Sequence, residues 1–198
     1  MNLPNKLTIA RLIMTPIFFV AFSLPLWFNN SFQTLSTVLV FLLFIAIEAT
    51  DIFDGVIARK RDLVTDLGKV MDPFADTFAR LTYFVCLMSV NIFPIIAFVI
   101  ILWRELAQSF VRSLLMREGK ALPANIWGKT KAVLYAISAV AGILYLIIFR
   151  SFPDMNYLKE IHFVLNILFY LSAFASLASF FTYIHQISKS KILSHLSK

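Results

Sequence analysis

The chain has 198 residues, 60% of them hydrophobic and only 15% charged, with 21 phenylalanines and a formal net charge of +7. An ordinary soluble domain carries about a quarter charged residues and has no interior large enough for so much apolar side chain, and disordered chains are poor in these residues. The composition is that of an integral membrane protein, and its basic excess is assigned to anionic lipid, a phosphorylated substrate or the cytoplasmic face, not to nucleic acid.

A spanning helix needs about 20 mainly apolar residues. The first predicted one covers 7–27, after a start, Met1 to Lys6, that lacks the small-residue cleavage pattern of a removable signal peptide. Asn29-Asn30-Ser31 forms a polar turn into the second, 33–58. A charged stretch leads to the third, 67–90, and Asn91 and Pro94 separate it from the fourth, 94–116, because proline breaks a helix interior but suits a first turn. A polar loop from Gly119 to Gly128, with Pro123 and Asn125, precedes the fifth, 130–149; Pro153 and Asp154 precede the sixth, 161–186. The tail 188–198, rich in Lys and Ser, reads as a basic, solvated or lipid-skimming end. No internal repeat is visible, so residues 1–198 read as one all-α membrane domain of six transmembrane helices. The lone Cys86 permits no disulfide within the chain and reads as a small buried hydrophobe.

With six spans the two ends share a side. Every Lys and Arg except Arg150 and Lys159 falls on that side or in the helices leading to it, and the turns near 29 and 92 carry none. The positive-inside rule places both termini in the cytoplasm, on a surface that attracts anionic headgroups.

All aspartates but Asp154 lie between 51 and 76, and four fall inside predicted spans: Asp51 and Asp54 near the end of the second, Asp72 and Asp76 near the start of the third. A charge inside the membrane costs at least a few kcal/mol, so four together need compensation. Spacings of three and four put each pair on one helix face, within about 10–15 Å of the cytoplasmic helix ends. Two antiparallel helices joined by a short loop would bring the pairs together. Mutually repelling carboxylates call for a cation, and all-oxygen ligands suit a hard one, Mg²⁺ or Mn²⁺. Ion pairs with Arg59, Lys69 or Arg80 are the structural alternative; Asp62 and Asp66 read as solvated or capping. Gly55 and Gly68 would let a phosphate approach the backbone, and Arg59 offers a planar fork for its oxygens. A cation transporter, the alternative from another class, would place its carboxylates near the midplane in broken helices or paired repeats, which this sequence does not show.

The run Asp51-Ile-Phe-Asp54-Gly55-Val-Ile-Ala58-Arg59, then eight residues, then Gly68-Lys-Val-Met-Asp72-Pro-Phe-Ala-Asp76 resembles the signature of the CDP-alcohol phosphotransferase family at every fixed position. The resemblance implies a six-helix enzyme that cleaves the pyrophosphate of a CDP-linked lipid such as CDP-diacylglycerol, transfers the phosphatidyl group to an alcohol and releases CMP. It implies a divalent metal pair on Asp51, Asp54, Asp72 and Asp76, with Asp76 as general base. It also places Gly55, Ala58, Arg59, Thr65 and Gly68 around the cytidine diphosphate, and implies a homodimer. The opening Leu3-Pro4-Asn5-Lys6-Leu7-Thr8-Ile9-Ala10-Arg11, the pair Arg104-Glu105 followed by Arg112, and Trp127-Gly128-Lys129-Thr130-Lys131 are similar to bacterial phosphatidylglycerophosphate synthases. That similarity adds Asn5 and Thr8 to the CDP-lipid side and implies sn-glycerol 3-phosphate as acceptor. Inositol phosphate, serine and phosphatidylglycerol are the alternatives. Arg104, Arg112, Lys129 and Lys131 would cradle the acceptor phosphate. Arg104, about 20 Å from its cytoplasmic helix end, is too deep to snorkel and needs a partner: Glu48, Glu105 or a substrate phosphate.

Two residues depart from the pattern. Glu48, one turn before Asp51, is outside the signature and is expected to pair with Arg80 or Arg104. Thr77 stands where many relatives carry Lys. His162, His185 and His195 have no second ligand at zinc spacing, and Trp27, Trp103 and Trp127 read mostly as interfacial anchors.

Overall fold

The computed structural model describes residues 2–60, 65–117 and 126–189. They form six helices: α1 (Leu3–Trp27), α2 (Gln33–Lys60), α3 (Asp66–Ser89), α4 (Ile95–Arg117), α5 (Ile126–Ser151) and α6 (Leu158–Lys189), with no strand among the described residues. The all-α architecture matches the expectation, but α1 begins four residues earlier than the apolar run. Asn2 caps it, accepting from the Asn5 N–H at 3.2 Å, and Pro4 occupies the first turn, where a missing donor costs nothing. This extension carries Asn5 into the helix. α3 starts at a second cap, Thr65, whose hydroxyl accepts from the Gly68 N–H at 3.0 Å. The predicted breaks at Asn29, Asn30 and Asn91 are left-handed residues, with φ of 47°, 63° and 58°. Asparagine tolerates that region better than any other side chain present there.

α1 packs along both α2 and α3, α5 packs along α6, α4 leans on α6, and α3 reaches α4 and α5. The expected meeting of α2 and α3 occurs through side chains, Phe44 on Tyr83 and Glu48 by Arg80, while α1 makes the closer backbone approach to both among the described residues. The core centres on α3. Tyr83 meets Phe18 of α1 and Phe44 of α2 edge-on, with ring centroids 4.9 and 5.1 Å away. Phe84 stacks on Phe93, which meets Phe169 of α6 at 4.3 Å. These offset and edge contacts add to the area that the rings bury. A polar seam joins α5 to α6: Tyr135 donates to Ser176 at 2.7 Å, and Ser138 and Ser172 share a hydrogen bond at 2.8 Å.

Four helical stretches are long and apolar enough to cross a membrane: Leu3–Trp27, Gln33–Gly55, Ile126–Ser151 and Leu158–Thr182. Exposed Phe41, Phe163, Phe174 and Phe181 give them lipid-compatible outer faces, and the chain is a multi-pass membrane protein. α3 and α4 have the length, at about 1.5 Å per residue, but carry charge inside them: Asp72, Asp76 and Arg80 on α3, Arg104, Glu105 and Arg112 on α4. At the opposite end from the aspartates, Arg150 donates to Ser36 at 3.1 Å and lies 5.0 Å over the Phe22 ring, so this cation is satisfied where it stands. His162 stacks on Tyr145 and contacts the Ile92 carbonyl at 3.3 Å, and Cys86 is buried and free. His185, His195 and the tail lie outside the described residues or have side chains outside them.

Gly142 marks the tightest helix contact. A Cβ there would stand 2.5 Å from Leu87 Cδ1 and 3.5 Å from Phe169 Cζ. Gly142→Val is expected to cost about 1–3 kcal/mol through overpacking, read as a lowered unfolding temperature in detergent. Gly142→Ala should cost less, because the Leu87 methyl can rotate away.

Candidate active site

The first three turns of α1 carry Asn5, Thr8 and Arg11 at intervals of three, on one stripe of the helix. Because α1 lies against both α2 and α3, this stripe faces the aspartates of both. The Thr8 hydroxyl is 2.6 Å from Asp72 Oδ1 and 3.4 Å from Asp54 Oδ2. Arg11 donates through Nη1 to Asp51 at 2.8 Å and to Asp76, and through Nη2 to Asp54. All four signature aspartates thus meet on two side chains of α1. The Arg11 side chain is only 1% exposed. A guanidinium so deeply buried is tolerable only with carboxylates around it, and buried carboxylates need it equally.

Sequence reasoning counted Arg11 as a side-determining charge and as part of the family-like opening, and gave it no role in the site. The signal was present: a cation inside an apolar run requires a partner. Arg80, one of the expected alternative partners, meets Glu48 instead; the side chains of Arg59 and Lys69, like that of Ala58, lie outside the described residues.

Asn5, Thr65 and Gly68 form the neighbouring cluster. The Asn5 amide and the Thr65 hydroxyl exchange hydrogen bonds at 3.1 and 3.2 Å. A Cβ on Gly68 would lie 3.1 Å from Asn5 Oδ1 and 3.2 Å from Thr65 Oγ1, so any larger residue would crowd this pair. Gly55 follows Asp54 on α2. Of the residues expected around the CDP moiety, the structure therefore gathers Asn5, Thr8, Thr65 and Gly68 beside the aspartates.

On the other side of Asp76 opens a cavity of about 410 Å³. Asp76, Thr77 and Arg80 of α3 line it together with Arg104, Glu105 and Arg112 of α4 and Lys129 and Lys131 of α5. All four residues expected to hold the acceptor phosphate face this space, but they are not equivalent. Glu105 Oε1 accepts from Arg104 at 2.8 Å and from Lys131 at 2.6 Å, while Arg104 also donates to Ser179 at 2.8 Å. Lys131 lies 4.8 Å over the Tyr135 ring. The depth of Arg104 is thus explained by Glu105. Among the described residues no acid lies within ion-pair distance of Arg112 or Lys129. Glu48 meets Arg80 at 3.8 Å, one of its two expected partners.

The four aspartates form a candidate metal site. Its donors are all oxygen, and one guanidinium offsets at most one of four carboxylate charges, which fits a hard divalent cation. In the present arrangement Arg11 sits among them, and no three acidic groups of the described residues converge closely enough to enclose an ion. The donor chemistry suits such an ion, while the present arrangement gives the aspartates to Arg11 and Thr8.

The resulting site has an acidic half and a basic half, with Asp76 shared between them. An anion held by the cavity cations can present a hydroxyl to a carboxylate that accepts its proton.

Known proteins resemble this chain. The profile of the CDP-alcohol phosphatidyltransferase family matches residues 1–178. Proteins named CDP-diacylglycerol–glycerol-3-phosphate 3-phosphatidyltransferase are similar across most of the chain. The one from Treponema pallidum is 30% identical over 190 residues, covering 93% of this chain and 88% of its own length. The one from Bacillus subtilis is 35% identical over 159 residues, covering 77% and 82%. The one from Rickettsia felis is 37% identical over 153 residues, covering 73% and 81%.

Arg11→Ala would leave three carboxylates without their shared cation. A loss of about 3–5 kcal/mol is expected, with Arg11→Lys retaining part of it, measured by chemical unfolding of the purified protein in metal-free detergent solution.

Proposed function

The chain belongs to the CDP-alcohol phosphatidyltransferase family, and on that premise we propose that it transfers the phosphatidyl group of CDP-diacylglycerol to sn-glycerol 3-phosphate, giving phosphatidylglycerol phosphate and CMP. The observation that carries the reading is Asp76, whose carboxylate belongs both to the acidic cluster and to the wall of the basic cavity. The names of the similar proteins supply the same donor and acceptor.

In this reading six helices span the membrane, both termini are cytoplasmic and the site opens to the cytoplasm. The acyl chains of the donor stay in the bilayer while its headgroup meets a soluble acceptor. Asn5, Thr8, Gly55, Ala58, Arg59, Thr65 and Gly68 contact the CDP-lipid. Asp51, Asp54, Asp72 and Asp76 hold one or two Mg²⁺ or Mn²⁺ ions. When bound, the metal supplies positive charge to pyrophosphate oxygens as CMP leaves. Arg112 and Lys129, free of acidic partners among the described residues, bind the acceptor phosphate; Arg104 and Lys131 add charge while fixed by Glu105. The acceptor hydroxyl then lies beside Asp76, which takes its proton as the new phosphoester bond forms. The proposal includes a homodimer, as the family resemblance implies.

CMP release by the purified protein should require CDP-diacylglycerol, glycerol 3-phosphate and Mg²⁺ or Mn²⁺, and should stop on chelation. Turnover with serine or inositol phosphate but not glycerol 3-phosphate would overturn the acceptor assignment. Full activity without metal would overturn the role of the aspartates. Asp76→Asn should lower kcat by about 10²–10⁴. Arg112→Ala should raise the KM for glycerol 3-phosphate about tenfold while leaving that for the lipid donor nearly unchanged.

A further inference from the structure

Arg80 lies one turn beyond Asp76, on the same face of α3. It lines two spaces: the basic cavity, and the narrow crevice that runs back to Arg11, Asp51 and Glu48. The other deep cations are already engaged, Arg11 with three aspartates and Arg104 and Lys131 with Glu105. Arg80 is not engaged in that way. Glu48 stands 3.8 Å from its Nη2, beyond hydrogen-bond reach, and its Nη1 is buried with no hydrogen-bond partner. Two more orphaned polar atoms, Arg104 Nε and Gln108 Oε1, belong to residues lining the same cavity. Folded proteins pair such groups almost without exception. A guanidinium near a carboxylate, with a buried and unpaired N–H on a residue that lines the cavity, needs only a small side-chain movement to donate to an anionic oxygen there.

We propose that Arg80 binds the phosphate of the acceptor from the inner end of the cavity, opposite Arg112, and so selects a phosphorylated acceptor over a neutral alcohol. Glu48 is the positioning residue that holds the guanidinium toward this task. The geometry suits a small phosphorylated polyol: one helical turn separates Asp76 from Arg80, about 6 Å of rise, so one such molecule reaches from the proton acceptor to the guanidinium. This assignment rests on the functional reading above.

The test uses the full-length protein in detergent and measures both glycerol 3-phosphate binding by calorimetry and steady-state kinetics. Arg80→Gln is expected to weaken glycerol 3-phosphate binding and raise its KM by about tenfold or more, with the KM for CDP-diacylglycerol within about twofold of wild type. Removing Arg80 alone strips Glu48 of its cation and could unfold the protein, so the double variant Glu48→Gln, Arg80→Gln removes both charges. It should be as stable as wild type yet keep the acceptor defect. If the double variant regains the wild-type KM for glycerol 3-phosphate, Arg80 only satisfies Glu48 and the proposal fails. An equal rise in both KM values would also overturn it. Wild-type protein that binds glycerol 3-phosphate at an Arg80-dependent site but releases no CMP would overturn the reaction and leave Arg80 standing. Wild-type protein that binds neither glycerol 3-phosphate nor inositol phosphate would remove both.

Discussion

The fold is organised around one buried guanidinium. Arg11 sits among Asp51, Asp54 and Asp76, and Thr8, one turn before it, takes up Asp72. Neither partner is tolerable alone in an apolar interior, because an unpaired buried charge loses far more in hydration than packing returns. This mutual requirement sets the position of α1 against both α2 and α3. Local details fit around it. The early start of α1 at Leu3 puts Asn5 within reach of Thr65, and a Cβ on Gly68 would crowd the Asn5 amide and the Thr65 hydroxyl.

Next to this acidic half the same logic runs with the signs reversed. Glu105 is surrounded by Arg104 and Lys131, which fixes α4 to α5, and Arg104 extends the link to α6 through Ser179. Two polar assemblies of opposite excess charge therefore stand side by side, and Asp76 is where they meet. In surroundings of low dielectric constant such charges act more strongly on a substrate than they would in water. In the proposed reaction the acidic half would hold the metal-bound pyrophosphate and the basic half the phosphorylated alcohol, each relieving repulsion that the other would impose.

The signature aspartates, their facing by helical spacing and the breaks at Asn29, Asn30, Asn91 and Pro94 were legible in the sequence, because each depends on a few neighbouring residues. Arg11 was not, although its burial inside an apolar run was a usable signal. The meeting of α2 and α3 was expected, and it occurs through side chains; that α1 packs more closely against both could not be read locally. The sequence grouped Arg104, Arg112, Lys129 and Lys131 as one set, and the four line one cavity. What divides it is a single carboxylate, Glu105, that occupies two of the four.

The sequence by itself determined that the chain lives in a membrane, that its scarce acids gather near one end of two helices, and which family's chemistry they resemble. These properties follow from composition and from spacing within a helix. Only the tertiary structure decided which charge neutralises which. Arg11 and Asp76 are 65 residues apart, and Lys131 and Glu105 are 26 apart. Coulombic pairing depends on distance in space and on the exclusion of water, and both are set by how the helices pack.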